Sequence, residues 1–184
     1  MDAFGLIARY YDRVFRYPGP EGLLAALQPE PGHRILDIGG GTGRVSGTFG
    51  DALHVVVCDP SAGMLGQALG KGLHACACVA EQLPFATGSF PRIILVDTFH
   101  HVADQRQMVR ELRRVLVPGG RWVIEEPDIR QRVVQFVALA ERLLRVRSRF
   151  FSLPDMLAML EEAGATILAV EEGPGANVRV TVVH

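Results

Sequence analysis

Residues 36–44 read Leu-Asp-Ile-Gly-Gly-Gly-Thr-Gly-Arg, and no other stretch so narrows what this chain can become. An apolar run ends in an acid and passes into a turn whose Gly39, Gly41 and Gly43 fall at every second position. Such a turn lets the backbone take positive φ and approach a ligand with no Cβ in the way. A helix expected over 43–50 would aim its free N–H groups at an anionic part of that ligand.

The flanks strengthen this reading. His33 to Ile38 has the pattern of a short buried strand, and His54 to Asp59 is a second apolar run ending in a carboxylate. Asp59 lies about 20 residues beyond the first glycine, where a strand-end carboxylate can accept from both hydroxyls of a ribose. A dinucleotide fingerprint would require its third glycine at position 44, where Arg44 stands.

Along the rest of the chain, strands are expected near 33–38, 54–58, 74–78, 92–97 and 121–126. Helices are expected near 43–50, 61–70, 104–116 and 154–163, after two amino-terminal helices over 2–16 and 20–28 that Pro18-Gly19-Pro20 separates. Thr166–Glu172 and Asn177–His184 read as a closing hairpin about Gly173-Pro174-Gly175. This alternation implies an α/β, Rossmann-like, doubly wound and mostly parallel sheet that binds ligands at the carboxyl ends of its strands.

The D-x-G-x-G-x-G spacing of residues 37–43 resembles motif I of the class I S-adenosylmethionine-dependent methyltransferases. Further segments resemble the same family in order: Asp59-Pro60-Ser61 with Met64-Leu65, Ala80-Glu81-Gln82-Leu83-Pro84-Phe85, His100-His101-Val102, and Arg114-Val115-Leu116 with Pro118-Gly119-Gly120. The Ala80–Phe85 segment is similar to the branch that includes the ubiquinone and menaquinone methyltransferases. Two positions depart from the pattern. Val79 stands where relatives carry an Asp for the adenine amino group, and Pro91 follows Ser89-Phe90 where an Asp is usual.

The resemblance implies a seven-stranded sheet with an antiparallel last strand and a short cap insert after strand five. It implies a single domain over 1–184, made of a helical segment (1–30), a donor-binding core (33–126), the cap (127–151), and a helix with hairpin (152–184) that completes the fold. It also implies S-adenosylmethionine as donor and S-adenosylhomocysteine as product. Asp37 would hold positive charge near the donor's amino-acid end, Gly39 and Asp97 would offer carbonyls to its ammonium, and Asp59 would take the ribose. Pro60, Met64, Ala80 and Glu81 would border the adenine. Tyr11, in a segment similar to one that folds over the donor in quinone-type relatives, either reaches the donor carboxylate or packs in the core.

On the acceptor side, His100, Asp97 and Glu126 follow the fourth and fifth strands, where the donor's methyl should emerge. A histidine there can take a proton from an acceptor, whereas His101 is expected to cap a helix or sit in the core. Within the insert, Val133, Phe136, Val137, Ala140, Leu143 and Leu144 recur at helical spacing, and Arg142, Arg145 and Arg149 line another face. That face is either solvated, a wall for an anionic acceptor, or a surface for a lipid-like quinone.

Composition bounds the partners. A net charge of −1 over 184 residues argues against a general polyanion binder, and the short insert disfavours a macromolecular acceptor, so a small-molecule acceptor is expected and nucleic acid is not. Cys76 and Cys78 fall on one face of the third strand and Cys58 lies in the second; with no C-x-x-C or histidine cluster nearby, buried thiols and no metal are expected. Asp2, Arg9, Asp12 and Arg13 break any leader-like apolar run, and no apolar run is long enough to span a bilayer. The expectation is a cytoplasmic monomer or homodimer. Two other classes stay open: a nicotinamide-dependent oxidoreductase on the same sheet, and a donor-binding regulatory or scaffold subunit without turnover.

Overall fold

The computed structural model describes residues 3–14, 16–129, 151–175 and 177–184. The strands are β1 (Arg34–Ile38), β2 (His54–Asp59), β3 (His74–Ala77), β4 (Phe90–Val96), β5 (Leu116–Pro127), β6 (Thr166–Glu172) and β7 (Asn177–Val183). They form one sheet in the order β3-β2-β1-β4-β5-β7-β6. β1 to β5 pair in parallel, and β7 runs antiparallel to both β5 and β6. This is the expected Rossmann-like architecture.

Period-two alternation gives each inner strand two apolar faces. Ile38, Ile93, Leu95, Trp122 and Ile124 point to one side of the sheet, against Met108, Leu112 and Val115 of α4 (Gln105–Val115) and Met156 and Leu160 of α5 (Leu153–Glu162). Ile35, Val57, Ile94 and Val123 point to the other. There they meet Leu23 and Leu27 of α2 (Glu21–Leu27) and Leu65 and Ala68 of α3 (Ala62–Gly70). α1 (Ala3–Val14) packs along α3. The helices start where side chains satisfy their free N–H groups: Ser61 Oγ accepts from Met64 N, Asp104 Oδ1 from Gln107 N, and Ser152 Oγ from Asp155 N.

Two elements differ from the sequence reading. The helix expected over 43–50 is only a 3₁₀ turn, Ser46–Thr48. Gly47 and Gly50 disfavour helix, and the neighbouring hydroxyls bond elsewhere: Thr48 Oγ1 donates to Val45 O and Ser46 Oγ to Asp37. β5 begins earlier than expected, at Leu116, because Phe90 pairs with Leu116 before a register shift re-pairs Arg92 with Arg121. The Pro118-Gly119-Gly120 turn is thus absorbed as an irregularity of the strand.

Candidate functional site

At the carboxyl ends of β1, β2 and β4 lies a cavity of about 310 Å³, within the ordinary range for small-ligand sites. The glycine turn forms its floor. Gly39 has φ 65° and sits against Thr98, so a side chain would be strained by the backbone and blocked by that threonine. Gly41, with φ 56°, faces Asp59 and Met64 across the opening. The turn does not present a row of free N–H groups. Gly39 and Gly40 donate to Cys58 O, Gly41 to Asp59 Oδ2 at 3.1 Å, and Gly43 to Gly40 O. With a 3₁₀ turn in place of the expected helix, the loop offers close approach and carbonyls rather than a helix N-terminus.

Asp59 is aligned from two sides, by Gly41 N and by Ser61 N, which donates to Oδ1 at 2.8 Å. Pro60 and Met64 from the following turn, with Val79 and Ala80 after β3, make the apolar wall beside it. Glu81 also lines the cavity, and its Oε1 accepts from Ala103 N and Asp104 N, pinning the loop that leads into α4.

Asp37 lies beneath the turn, 1% exposed, and accepts from Ser46 Oγ at 2.5 Å. Burial pushes its carboxyl up to about 6, against the opposing pull of Ser46 and then of the Arg44 guanidinium. Arg44 had no role in the sequence reading beyond breaking the dinucleotide pattern, yet it enters the cavity. Its Nη2 meets Asp97 Oδ2 at 2.9 Å, and its guanidinium lies 5.8 Å from the Tyr17 ring centroid. Asp97 takes a second bond from Asn177 Nδ2 at 2.8 Å and holds φ at 53°, a backbone state that Asp tolerates better than most residues. The signal that pointed to Arg44 is its place next to Gly43, on the turn itself.

Tyr11 lines the cavity from α1, and burial raises its phenol. Its neighbour Asp12 is held by Thr42 Oγ1 at 2.5 Å and by Lys71 Nζ at 2.5 Å, and Lys71 also donates to Thr42 O. α1 is thereby fastened over the glycine turn.

The two histidines part company. His100, expected to face an acceptor, is 5% exposed and turned toward Glu126, Nδ1 to Oε2 2.6 Å. Both border a second, much smaller space of about 20 Å³ with Phe151 and Met156, and neither lines the larger cavity. The other oxygen of Glu126 accepts from Thr98 N at 2.7 Å and Phe99 N at 2.5 Å. His101, expected to be a cap or core residue, stands instead on the wall of the larger cavity with Thr98 and Val102. Burial, and then the neighbouring His100, bring its pKa down to about 4, so the ring is neutral near pH 7. The arginine-rich face of the expected insert, Arg142, Arg145 and Arg149, lies outside the described residues.

Asp37 near the end of β1 and Asp59 at the end of β2 flank a glycine-turned crevice over a parallel sheet. In these features the chain is similar to the S-adenosylmethionine-dependent methyltransferases, the UbiE-type proteins among them. Residues 36–124 match the methyltransferase domain family. The chain is similar to the ubiquinone/menaquinone biosynthesis C-methyltransferase UbiE of Vibrio parahaemolyticus, 37% identical over 108 residues, which are 52% of this chain and 42% of that one. It is also 37% identical to the demethylmenaquinone methyltransferase of Beutenbergia cavernae over 118 residues, 62% of this chain and 48% of that one. The match thus spans about half the length of these relatives. A Thermotoga maritima SAM-dependent methyltransferase, described as a possible histamine N-methyltransferase, shares the fold with a TM-score of 0.80 at 23% identity, over 98% of this chain and 97% of that one. Among the described residues no helix is long and apolar enough to cross a membrane.

Proposed function

We propose that this chain transfers a methyl group from S-adenosylmethionine to a small-molecule acceptor. The observation that carries the proposal is the carboxylate of Asp59, held by two backbone N–H groups at the edge of a cavity floored by the glycine turn. The bound donor supplies a sulfonium that makes its methyl carbon electrophilic. Asp59 accepts from the ribose hydroxyls, while Pro60, Met64, Val79 and Ala80 pack on the adenine with Glu81 bracing their loop. Asp37 offsets the donor's positive charge, Gly39 and Asp97 take its ammonium through backbone carbonyls, and Arg44 with Tyr11 receives its carboxylate.

The acceptor enters beside His101, Thr98 and Val102. In an in-line displacement the acceptor's electron pair forms the new bond to carbon, the carbon–sulfur pair leaves with sulfur, and S-adenosylhomocysteine remains. Positioning supplies much of the rate. His101, neutral near pH 7, takes the acceptor's proton where the acceptor has one to lose, and His100 and Glu126 position the loop that carries it. The names of the relatives favour a quinone-like ring carbon as the methylated atom, with oxygen or nitrogen of a metabolite as the other chemistries. We place the protein in the cytoplasm as one domain over 1–184, monomer or homodimer, without nucleic acid; the net charge of −1 supports that last point.

The test is calorimetry with S-adenosylmethionine, S-adenosylhomocysteine and NAD, followed by product formation on a panel of reduced quinones and hydroxylated or amino metabolites. Donor binding with S-adenosylhomocysteine release on at least one acceptor is expected. Binding of NAD in preference to the sulfonium compound would sink the reading, and donor binding with no turnover on any acceptor would favour a scaffold subunit.

A further inference from the structure

Three cysteines that the sequence scatters over residues 58–78 come together in the fold. β2 and β3 pair in parallel with Cys58 opposite Cys76, and Cys78 follows two residues later on the same face. All three belong to, or pack against, one core cluster, and all are free thiols. Their Sγ atoms lie within 4.8 Å of one another. Cys58 and Cys78 also line the large cavity, next to Val79.

We propose that Cys58, Cys76 and Cys78 form a three-thiolate site for a soft monovalent cation, copper(I), set into the wall of the cavity. A thiolate–metal bond of about 2.3 Å places three sulfurs around one ion roughly 4 Å apart, so the cluster needs to close by less than about 1 Å. Thiolate softness selects copper(I) and zinc over harder ions. Among the described residues no fourth Cys, His, Asp or Glu joins the group, which suits a three-coordinate ion and leaves zinc without its usual fourth protein ligand. Each thiol that coordinates releases its proton to solvent, so affinity rises with pH. The site does not depend on what the cavity binds.

The experiment titrates the reduced full chain with copper(I), without oxygen, against a chromogenic copper(I) chelator. One equivalent per chain is expected, with a thiolate-to-copper charge-transfer band, and affinity falls at least tenfold in each of Cys58→Ser, Cys76→Ser and Cys78→Ser. A second measurement needs no variant: in the wild-type chain, bound copper protects all three thiols from alkylation, read by mass spectrometry. Loss of the ion to the chelator, protection of fewer than three thiols, or tighter binding of zinc than of copper(I) overturns the proposal.

Discussion

Glu126 holds Phe99 by its backbone: Oε1 accepts the Phe99 N–H at 2.5 Å and the Thr98 N–H at 2.7 Å, while Oε2 faces His100. One carboxylate at the end of β5 therefore sets the conformation of the turn after β4, which decides which histidine reaches the cavity. Glu126→Ala leaves two buried N–H groups and a buried imidazole without their acceptor. Each lost charge-assisted bond costs about 1.5–3 kcal/mol, so urea denaturation should show a loss of at least about 2 kcal/mol. Glu126→Gln, which keeps an acceptor oxygen, should lose less. A Glu126→Ala chain as stable as wild type would remove this role.

His101 is the group whose removal should separate turnover from donor binding. His101→Ala is expected to lower turnover tenfold or more on an acceptor that loses a proton, with donor affinity by calorimetry changed less than threefold, in keeping with the usual contribution of a general base. Equal losses in both would mean that the ring only packs.

The same ring has a signature in stability. Its folded pKa of about 4 lies below the ordinary histidine value of 6.5, so the unfolded chain binds the proton more readily. This contribution is present above pH 6.5 and is lost as pH falls toward 4. Allowing for partial solvent access, the loss is of order 2 kcal/mol. His101→Asn should flatten that part of the pH–stability curve measured by denaturant unfolding.

Asp37 responds in the opposite direction. Its folded pKa, raised to about 6 from 3.8, means that the folded chain takes up the proton first, so this group stabilises the fold as pH falls from about 6 toward 4. On the proposed function, the same protonation removes the negative charge that Asp37 would set beside the donor. Donor affinity should therefore weaken below pH 6 in wild type, and Asp37→Asn should bind weakly at every pH with no break there. A wild-type profile with no break between pH 5 and 7 would contradict this.

Lys71 ties Asp12 to the glycine turn at a partly exposed position, where ion pairs are worth about 0.2–1 kcal/mol. Lys71→Ala should barely move global stability yet raise the donor's dissociation rate several-fold in stopped flow, because α1 carries Tyr11 over the cavity. An unchanged dissociation rate would show that α1 needs no such tie.

The apolar runs read at residues 33–38, 54–58 and 92–97 were enough to place those strands to within two residues, because a short buried run bounded by turn residues is a local signal. The glycine spacing and the strand-end Asp59 were legible for the same reason: each acts within a few residues of itself. The helix expected after Gly43 was not, since Ser46 bonds to Asp37 rather than serving a helix. Nor was the division of labour between His100 and His101, which sit in a single 3₁₀ turn too short to show a period. Their orientation is set by Glu126, far along the chain.

The sequence by itself determined the strands, the turn and the acid that ends β2, through patterns that need only neighbours. Tertiary structure alone decided that Arg44 and Asn177 both meet Asp97, that Glu126 clamps the turn after β4, and that Cys58 joins Cys76 and Cys78. Those meetings depend on strand order and register, and these are settled by burial and backbone pairing among residues tens of positions apart.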